Sequence, residues 1–84
     1  MKNEQAIEML LITYLHTFKV VNKESVVKIV SWYYDGTNPD LLNAMEEIID
    51  DFSRSGILIA EQENYFLTVA GIKFTKEVLN GFLV

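Results

Sequence analysis

Two adjacent pairs of acids form the strongest chemical pattern in this sequence of 84 residues. Glu46-Glu47 and Asp50-Asp51 are spaced so that, on a helix, Glu46 shares a face with Asp50 and Glu47 shares one with Asp51. Carboxylates at this spacing could hold a divalent cation. Such pairs are also common on the solvated faces of helices, and we therefore expect no metal site here.

Side chains suited to acid–base or nucleophilic chemistry are scarce. His16 is the only histidine, there is no cysteine, and the sequence contains no Gly-rich phosphate loop, Gly-x-Ser-x-Gly elbow or His-Glu-x-x-His pattern. His16 falls late in the first predicted helix, where its charged form would suit the negative helix end. We predict a capping or surface role for His16, no enzyme activity and no cofactor.

The first helix is predicted from about Asn3 to Phe18, and it has two apolar surfaces. Met9, Ile12 and Leu15 fall outside its main stripe. That second surface either packs against the terminal helix or forms a subunit interface, and the sequence leaves both interpretations open. The main stripe, which is expected to face the core, comprises Ile7, Leu10, Leu11, Tyr14 and Phe18.

The second and third helices have clear start and stop signals. Asn22 offers an N-cap for the second helix, and Asp35-Gly36 ends it. Thr37 or Asn38 caps the third helix, with Pro39 in its first turn. The side chains of the third helix expected to face inward are Leu41, Leu42, Met45, Ile48, Ile49 and Phe52.

A hairpin is predicted after the third helix, which Gly56 closes. Two runs rich in β-branched and aromatic residues, 57–60 and 65–69, flank the polar residues 61–64, as is typical of a tight β-hairpin. Residues 18–21 are long enough for a bridging strand that completes a small sheet. After the hairpin, we expect Leu67 to enter the core, Thr68 to cap the last helix, and Gly71 to let that helix begin close against its neighbours.

The end of this hairpin resembles a known family. Residues 65–74, following Ser55-Gly56-Ile57-Leu58, resemble the end of winged helix-turn-helix domains of the MarR and PadR kind, where the strand finishes in Leu-Thr and a glycine follows. The resemblance implies an α+β winged helix of three helices, a short β-hairpin wing and a C-terminal helix, forming one domain over residues 1–84. It also implies a third helix that enters the major groove of DNA and a wing that contacts the backbone or minor groove.

The charge of the chain departs from that family pattern. Its formal net charge is -5, and the predicted wing carries Glu61 and Glu63 without a basic residue. Carboxylates brought to a duplex meet phosphate repulsion, so we expect no DNA binding through the third helix. A run of acids is also typical of a plain solvated face. The predicted acidic face comprises Asp40, Glu46, Glu47, Asp50 and Asp51.

Basic residues outside the third helix leave an alternative function open. Lys19, Lys23 and Lys28 are three of the seven basic residues and lie close together in the sequence. They could contact DNA in an unconventional way. On this interpretation the protein is a winged-helix transcription regulator.

A surplus of apolar and aromatic residues favours protein contacts. Trp32 is expected to face away from the core, either as an interface anchor or packed under residues 35–38 or the last helix, and the sequence does not decide between these. The resemblance implies dimerisation through the first and last helices. The predicted partner interface comprises Met9, Ile12, Leu15, Trp32, Phe74, Val78, Phe82 and Leu83.

The sequence therefore predicts a small winged-helix module for protein interaction or regulation, acting as an adaptor and forming a homodimer or binding another protein. No apolar run approaches the roughly 18 residues needed to cross a bilayer. The segment Met1–Gln5 also lacks the basic-then-apolar order of a signal peptide. We predict no membrane contact and a cytoplasmic location.

Overall fold

The computed structural model describes the backbone of residues 2–34 and 39–83, and the side chains of residues 5–34 and 39–81. Over these ranges the fold is α+β, with four helices and one small antiparallel sheet. The elements in chain order are α1 (Lys2–Phe18), β1 (Val20–Asn22), α2 (Lys23–Tyr33), α3 (Pro39–Arg54), β2 (Leu58–Glu61), β3 (Asn64–Leu67) and α4 (Val69–Leu83).

The three strands form a sheet in the order β1-β3-β2. The predicted bridging strand is confirmed, because β1 pairs antiparallel with β3 and Val21 lies opposite Tyr65. The predicted hairpin is also confirmed, with Ala60 of β2 opposite Tyr65 on the other side. Val21, Leu58 and Tyr65 are buried on the inner face of the sheet. The sheet thus closes one side of the core.

Helix α1 is buried on two sides, because it packs against both α3 and α4. Ile12 and Leu15 are only 1% and 2% exposed, so they belong to the core of the chain itself. This corrects their predicted place in a partner interface. Phe18 was expected in the core stripe but is 58% exposed, since it ends the helix and its ring packs against Tyr14 at a centroid distance of 4.9 Å.

Helix α3 supplies the other large share of the core. Met45, Ile49 and Phe52 are buried, as predicted, and the ring of Phe52 meets that of Phe74 edge to face at 5.9 Å. The remaining predicted positions of this helix are only partly buried, because they lie at the margin of the apolar stripe. These are Leu41, Leu42 and Ile48.

The predicted N-cap of α2 is confirmed. The side chain of Asn22 accepts a hydrogen bond from the backbone N–H of Ser25 at 2.7 Å, which caps α2. Helix α3 begins at Pro39. The predicted stop at Asp35-Gly36 and the predicted caps Thr37 and Asn38 lie outside the described residues.

The chain leaves α3 through a tight backbone turn. Gly56 has φ +78°, a left-handed conformation that glycine adopts at low cost. The N–H of Gly56 donates to Ser53 at 3.2 Å, and the N–H of Ile57 donates to Phe52 at 2.9 Å. This pair of bonds is the Schellman arrangement, which satisfies the last carbonyls of the helix and fixes the direction of β2.

The start of α4 is fastened to the same turn. The hydroxyl of Thr68 accepts from the N–H of Gly71 at 2.9 Å and lies 2.6 Å from the carbonyl oxygen of Gly56, to which it donates. A Cβ on Gly71 would overlap the carbonyl oxygen of Ile57 and lie 2.7 Å from Leu67 Cδ1. The predicted roles of Thr68 and Gly71 are therefore confirmed. Leu67 is partly buried against the core.

Within the described residues, no helix combines the length and apolar character needed to span a membrane.

Candidate partner-binding site

A groove of about 400 Å³ opens between α3, the β2–β3 turn and the start of α2. We call it the acidic groove, because four carboxylates and one lysine line it. The carboxylates belong to Glu46, Asp50, Glu61 and Glu63. Its formal charge is therefore negative.

Helix α3 and strand β3 supply the walls of this groove. Glu46 and Asp50 are one helical turn apart, so their carboxylates stand on the same side of α3. The buried Ile49 also lines the groove. Tyr65 enters from β3, where alternation along the strand points its ring inward toward α3.

The hairpin turn brings the other two carboxylates to the groove. Gln62 and Glu63 connect β2 to β3 with φ values of +49° and +67°, the backbone of a two-residue turn that favours glycine or asparagine. A side chain at positive φ is held at a conformational cost. The turn therefore places Glu61 and Glu63 at the rim in a geometry that its own residues do not prefer.

Lys23 joins the three elements around the groove. Its backbone N–H donates to the carbonyl of Glu63 at 2.8 Å, which fastens α2 to the hairpin turn. Its Nζ lies 3.4 Å from Glu46 Oε2 on α3. The pKa of Lys23 is raised above its ordinary value, first by the hydrogen bond to Glu46 and then by the charges around it, including that of Glu63. The ammonium therefore stays charged and partly neutralises the groove.

Tyr65 presents an unused hydroxyl to the groove. The residue is only 7% exposed, yet its hydroxyl has no hydrogen-bond partner within the described chain and remains open to the groove. Burial raises the pKa of Tyr65; the charge of Lys23 opposes this, and the nearby Glu63, Glu46 and Asp50 reinforce it. The phenol is therefore held neutral and can still give or accept a hydrogen bond.

All five residues of the predicted acidic face are exposed. They differ in whether they line the acidic groove. Glu46 and Asp50 line the acidic groove, whereas Asp40, Glu47 and Asp51 do not line it. Asp51 pairs with Arg54 one turn later. Among the described residues, no group of three potential metal ligands is close enough to hold an ion.

Each of the three lysines predicted for an alternative DNA contact has a polar neighbour within the chain. Lys19 has φ +65° and donates through Nζ to the carbonyl of His16, so it caps α1. Lys23 is engaged by Glu46. Lys28 is exposed, and its ammonium lies 3.9 Å from Glu24 on the same helix.

The remaining predicted interface residues whose side chains are described fall into two environments. Trp32 is 82% exposed, so it faces away from the core as expected. Met9, Phe74 and Val78 are partly buried against the core. The side chains of Phe82 and Leu83 lie outside the described residues. The apolar surplus of the terminal helices is thus used at least partly within the chain.

Sequence reasoning missed an apolar row on the outer face of the sheet. Phe66 lies opposite Val20 on one side and Ile59 on the other, and both neighbours are exposed. Alternation along each strand predicts which of its residues share a face. The register between the three strands is also needed to show that these apolar residues lie side by side. The contribution of Tyr65 and Lys23 to the groove was missed for the same reason.

The side chain of His16 contacts helix α4. Its Nδ1 lies 2.9 Å from Thr75 Oγ1 on α4, and that buried hydroxyl donates to the carbonyl of Ile72. The contact ties α1 to α4.

No protein-family model, curated protein or solved structure matches this chain.

Proposed function

We propose that the chain is a winged helix that binds a protein partner through its acidic surface, as an interaction or regulatory adaptor module. The order α1-β1-α2-α3-β2-β3 and the sheet order β1-β3-β2 support a winged-helix layout. In this layout α3 is the recognition helix and the β2–β3 hairpin is the wing. Helix α4 follows the wing and packs back on α1.

One observation carries the functional part of the proposal. Carboxylates of the recognition helix, Glu46 and Asp50, share a groove with carboxylates of the wing, Glu61 and Glu63. A winged helix presents these two elements to DNA, and phosphates would be repelled at both. The same arrangement attracts a cationic protein surface and speeds its association.

The DNA-binding alternative receives less support from the positions of its lysines. Lys19 and Lys23 each have a partner within the chain. The ammonium of Lys28 lies 3.9 Å from the carboxylate of Glu24, one turn earlier on α2. Neutralised cations release few counterions from a duplex, so they add little affinity. At about 150 mM salt we expect no appreciable binding of a generic duplex in a mobility-shift assay.

Photo-crosslinking in the cells that express the chain tests the proposal. The substitution Glu47→p-benzoylphenylalanine places the probe on the exposed acidic side of α3, beside the groove. We expect discrete adducts that protease digests and nuclease does not. The matched control Lys76→p-benzoylphenylalanine carries the same probe on an exposed position of α4 and should not form those adducts.

Two results would contradict the proposal. Adducts at position 47 that nuclease removes would assign the surface to nucleic acid. Equal adducts from Glu47 and Lys76 variants, or none from either, would show that the acidic surface has no protein partner of its own.

A further inference from the structure

We infer that the acidic groove holds an arginine side chain from a basic segment of the partner protein. The inference rests on the proposed function and specifies the chemistry of the partner. Three features carry it: the four carboxylates at the groove, the open hydroxyl of Tyr65, and the ion pair between Lys23 and Glu46. The carboxylates attract a cationic group, the phenol oxygen can accept a hydrogen bond from it, and the ion pair shows that Glu46 already engages a cation.

The spread of the carboxylates favours a side chain over a metal ion. Glu46 and Asp50 stand on α3, whereas Glu61 and Glu63 stand on the hairpin across the groove. The described residues contain no cluster of three ligands that could surround one ion. A metal needs several oxygens at about 2.0–2.6 Å, but a planar cation with several donors can reach separate acceptors.

The hydroxyl of Tyr65 gives the groove a specific polar contact at its inner end. Its ring is buried and its hydroxyl is open to the groove without a partner in the described chain. Guanidinium carries five N–H donors in a fixed fork, so one edge can face a carboxylate while another donates to the phenol oxygen. An ammonium has a single donor centre and fits this pair of acceptors less well.

Lys23 shows that the groove already accepts a cation. Its Nζ lies 3.4 Å from Glu46 Oε2, and the pair is solvent-accessible rather than sealed. An incoming guanidinium would therefore compete with Lys23 for Glu46. The lysine acts as an internal competitor, and its removal should strengthen binding.

A titration with defined peptides tests the inference on the full chain. The probe is acetyl-Gly-Arg-Gly-Arg-Gly-Arg-Gly-amide, followed by amide chemical shifts in about 50 mM salt, where surface charges are weakly screened. We expect saturable shifts at Gln62, Glu63 and Tyr65. A peptide with citrulline in place of arginine keeps the shape without the charge and should not bind, and a lysine peptide should bind more weakly.

Matched variants separate the groove from general acidity. Glu61→Gln and Glu63→Gln each remove one groove charge and should lower affinity about threefold to tenfold. Glu47→Gln removes the same charge outside the groove and should change affinity less than about twofold. Tyr65→Phe removes only the hydroxyl and should cost about threefold.

Lys23 allows a test in which affinity rises. Lys23→Met should strengthen binding of the arginine peptide about threefold or more, because Glu46 loses its internal partner. Lys76→Met makes the same change in net charge on α4 and should have a smaller effect. Equal effects of the two variants would overturn the inference, since only net charge would matter.

Other outcomes also decide between the two proposals. Shifts spread over the whole surface, equal binding of the citrulline peptide, or equal losses from Glu47→Gln and Glu61→Gln would overturn the arginine site. Protease-sensitive adducts at position 47 together with such results would leave the protein-binding function standing without this site. Absence of both the adducts and the peptide binding would overturn both proposals.

Discussion

The two ends of the β2–β3 hairpin are built in opposite ways. At its base, Gly56, Thr68 and Gly71 join α3, the hairpin and α4 through short hydrogen bonds and a close backbone contact. At its tip, Gln62 and Glu63 hold positive φ angles and two carboxylates face a groove that is already acidic. The base is suited to stability, and the tip is not.

This difference separates folding from binding within one small element. Natural proteins depart from locally favourable residues mainly at functional or strained sites. Asparagine and glycine would suit the turn better than Gln62-Glu63, and neutral residues would reduce the repulsion around Glu61. The unfavourable choices at the tip coincide with the proposed partner site.

The largest expected loss of stability comes from adding a side-chain atom at the tightly packed base of the hairpin. Gly71→Ala should destabilise the fold by about 3 kcal/mol or more, because its Cβ would overlap the carbonyl oxygen of Ile57, which cannot move independently of the backbone. Gly81→Ala is the control, since no atom lies within 4 Å of its added Cβ. It should stabilise α4 by up to about 1 kcal/mol. Urea denaturation measures both, and similar midpoints for the two variants would refute the tight base.

A smaller loss is expected when only the cap is removed. Thr68→Ala should lower the free energy of unfolding by about 1–2 kcal/mol, because the N–H of Gly71 and the carbonyl of Gly56 both lose their partner. Thr68→Ser keeps the hydroxyl and should recover most of this loss. The same urea titration tests the pair, and equal losses from alanine and serine would show that the hydroxyl has no stabilising role.

The tip should respond in the opposite direction. The double change Gln62→Asn with Glu63→Gly should raise the free energy of unfolding by about 0.5–1 kcal/mol, since both residues then suit the positive φ angles. Glu61→Gln removes a charge without altering the turn residues and controls for electrostatic relief. Thermal melting measures the change. An equal gain from Glu61→Gln alone would attribute the effect to charge rather than backbone conformation.

The smallest expected effect is a dependence of stability on pH, which comes from Tyr65 at the inner wall of the groove. The pKa of Tyr65 in the folded chain is raised from its ordinary value of 10.0, chiefly by burial. Above about pH 10 the unfolded chain therefore releases this proton more readily, and stability falls as pH rises. Lys23, whose pKa is also raised, contributes in the same direction.

Thermal melting between pH 9 and about 11.5 checks this prediction against the tyrosine titration range. Tyr65→Phe should make the alkaline decline shallower, while the part due to Lys23 remains. An unchanged slope in Tyr65→Phe would show that this phenol is not protected in the folded chain.

Local sequence patterns were sufficient to predict several helix ends and core positions. The Asn22 cap, the closure at Gly56 and the Thr68-to-Gly71 start of α4 depend on residues within five positions of each other, and all three are confirmed. Periodicity likewise placed Met45 and Phe52 in the core. These features are determined by backbone chemistry that is visible in a short window of sequence.

Features that depend on distant neighbours could not be predicted in the same way. The sequence alone does not decide whether Ile12 and Leu15 lie in the core or at an interface, because the answer depends on how α4 packs on α1. The acidic residues of α3 were identified as a face, but their meeting with Glu61 depends on how the hairpin folds back. Tyr65 was assigned to a strand, and only the register showed its hydroxyl at the groove.

The shortness of the outer strands has a consequence for behaviour at high concentration. Strand β1 has three residues and β2 has four, and these are the two edges of the sheet. Long, flat edges recruit further chains by backbone pairing, which is how cross-β aggregates grow. Edges this short offer few free pairing groups, so the sheet can keep Val20 and Ile59 on its outer face without acting as a template for fibres.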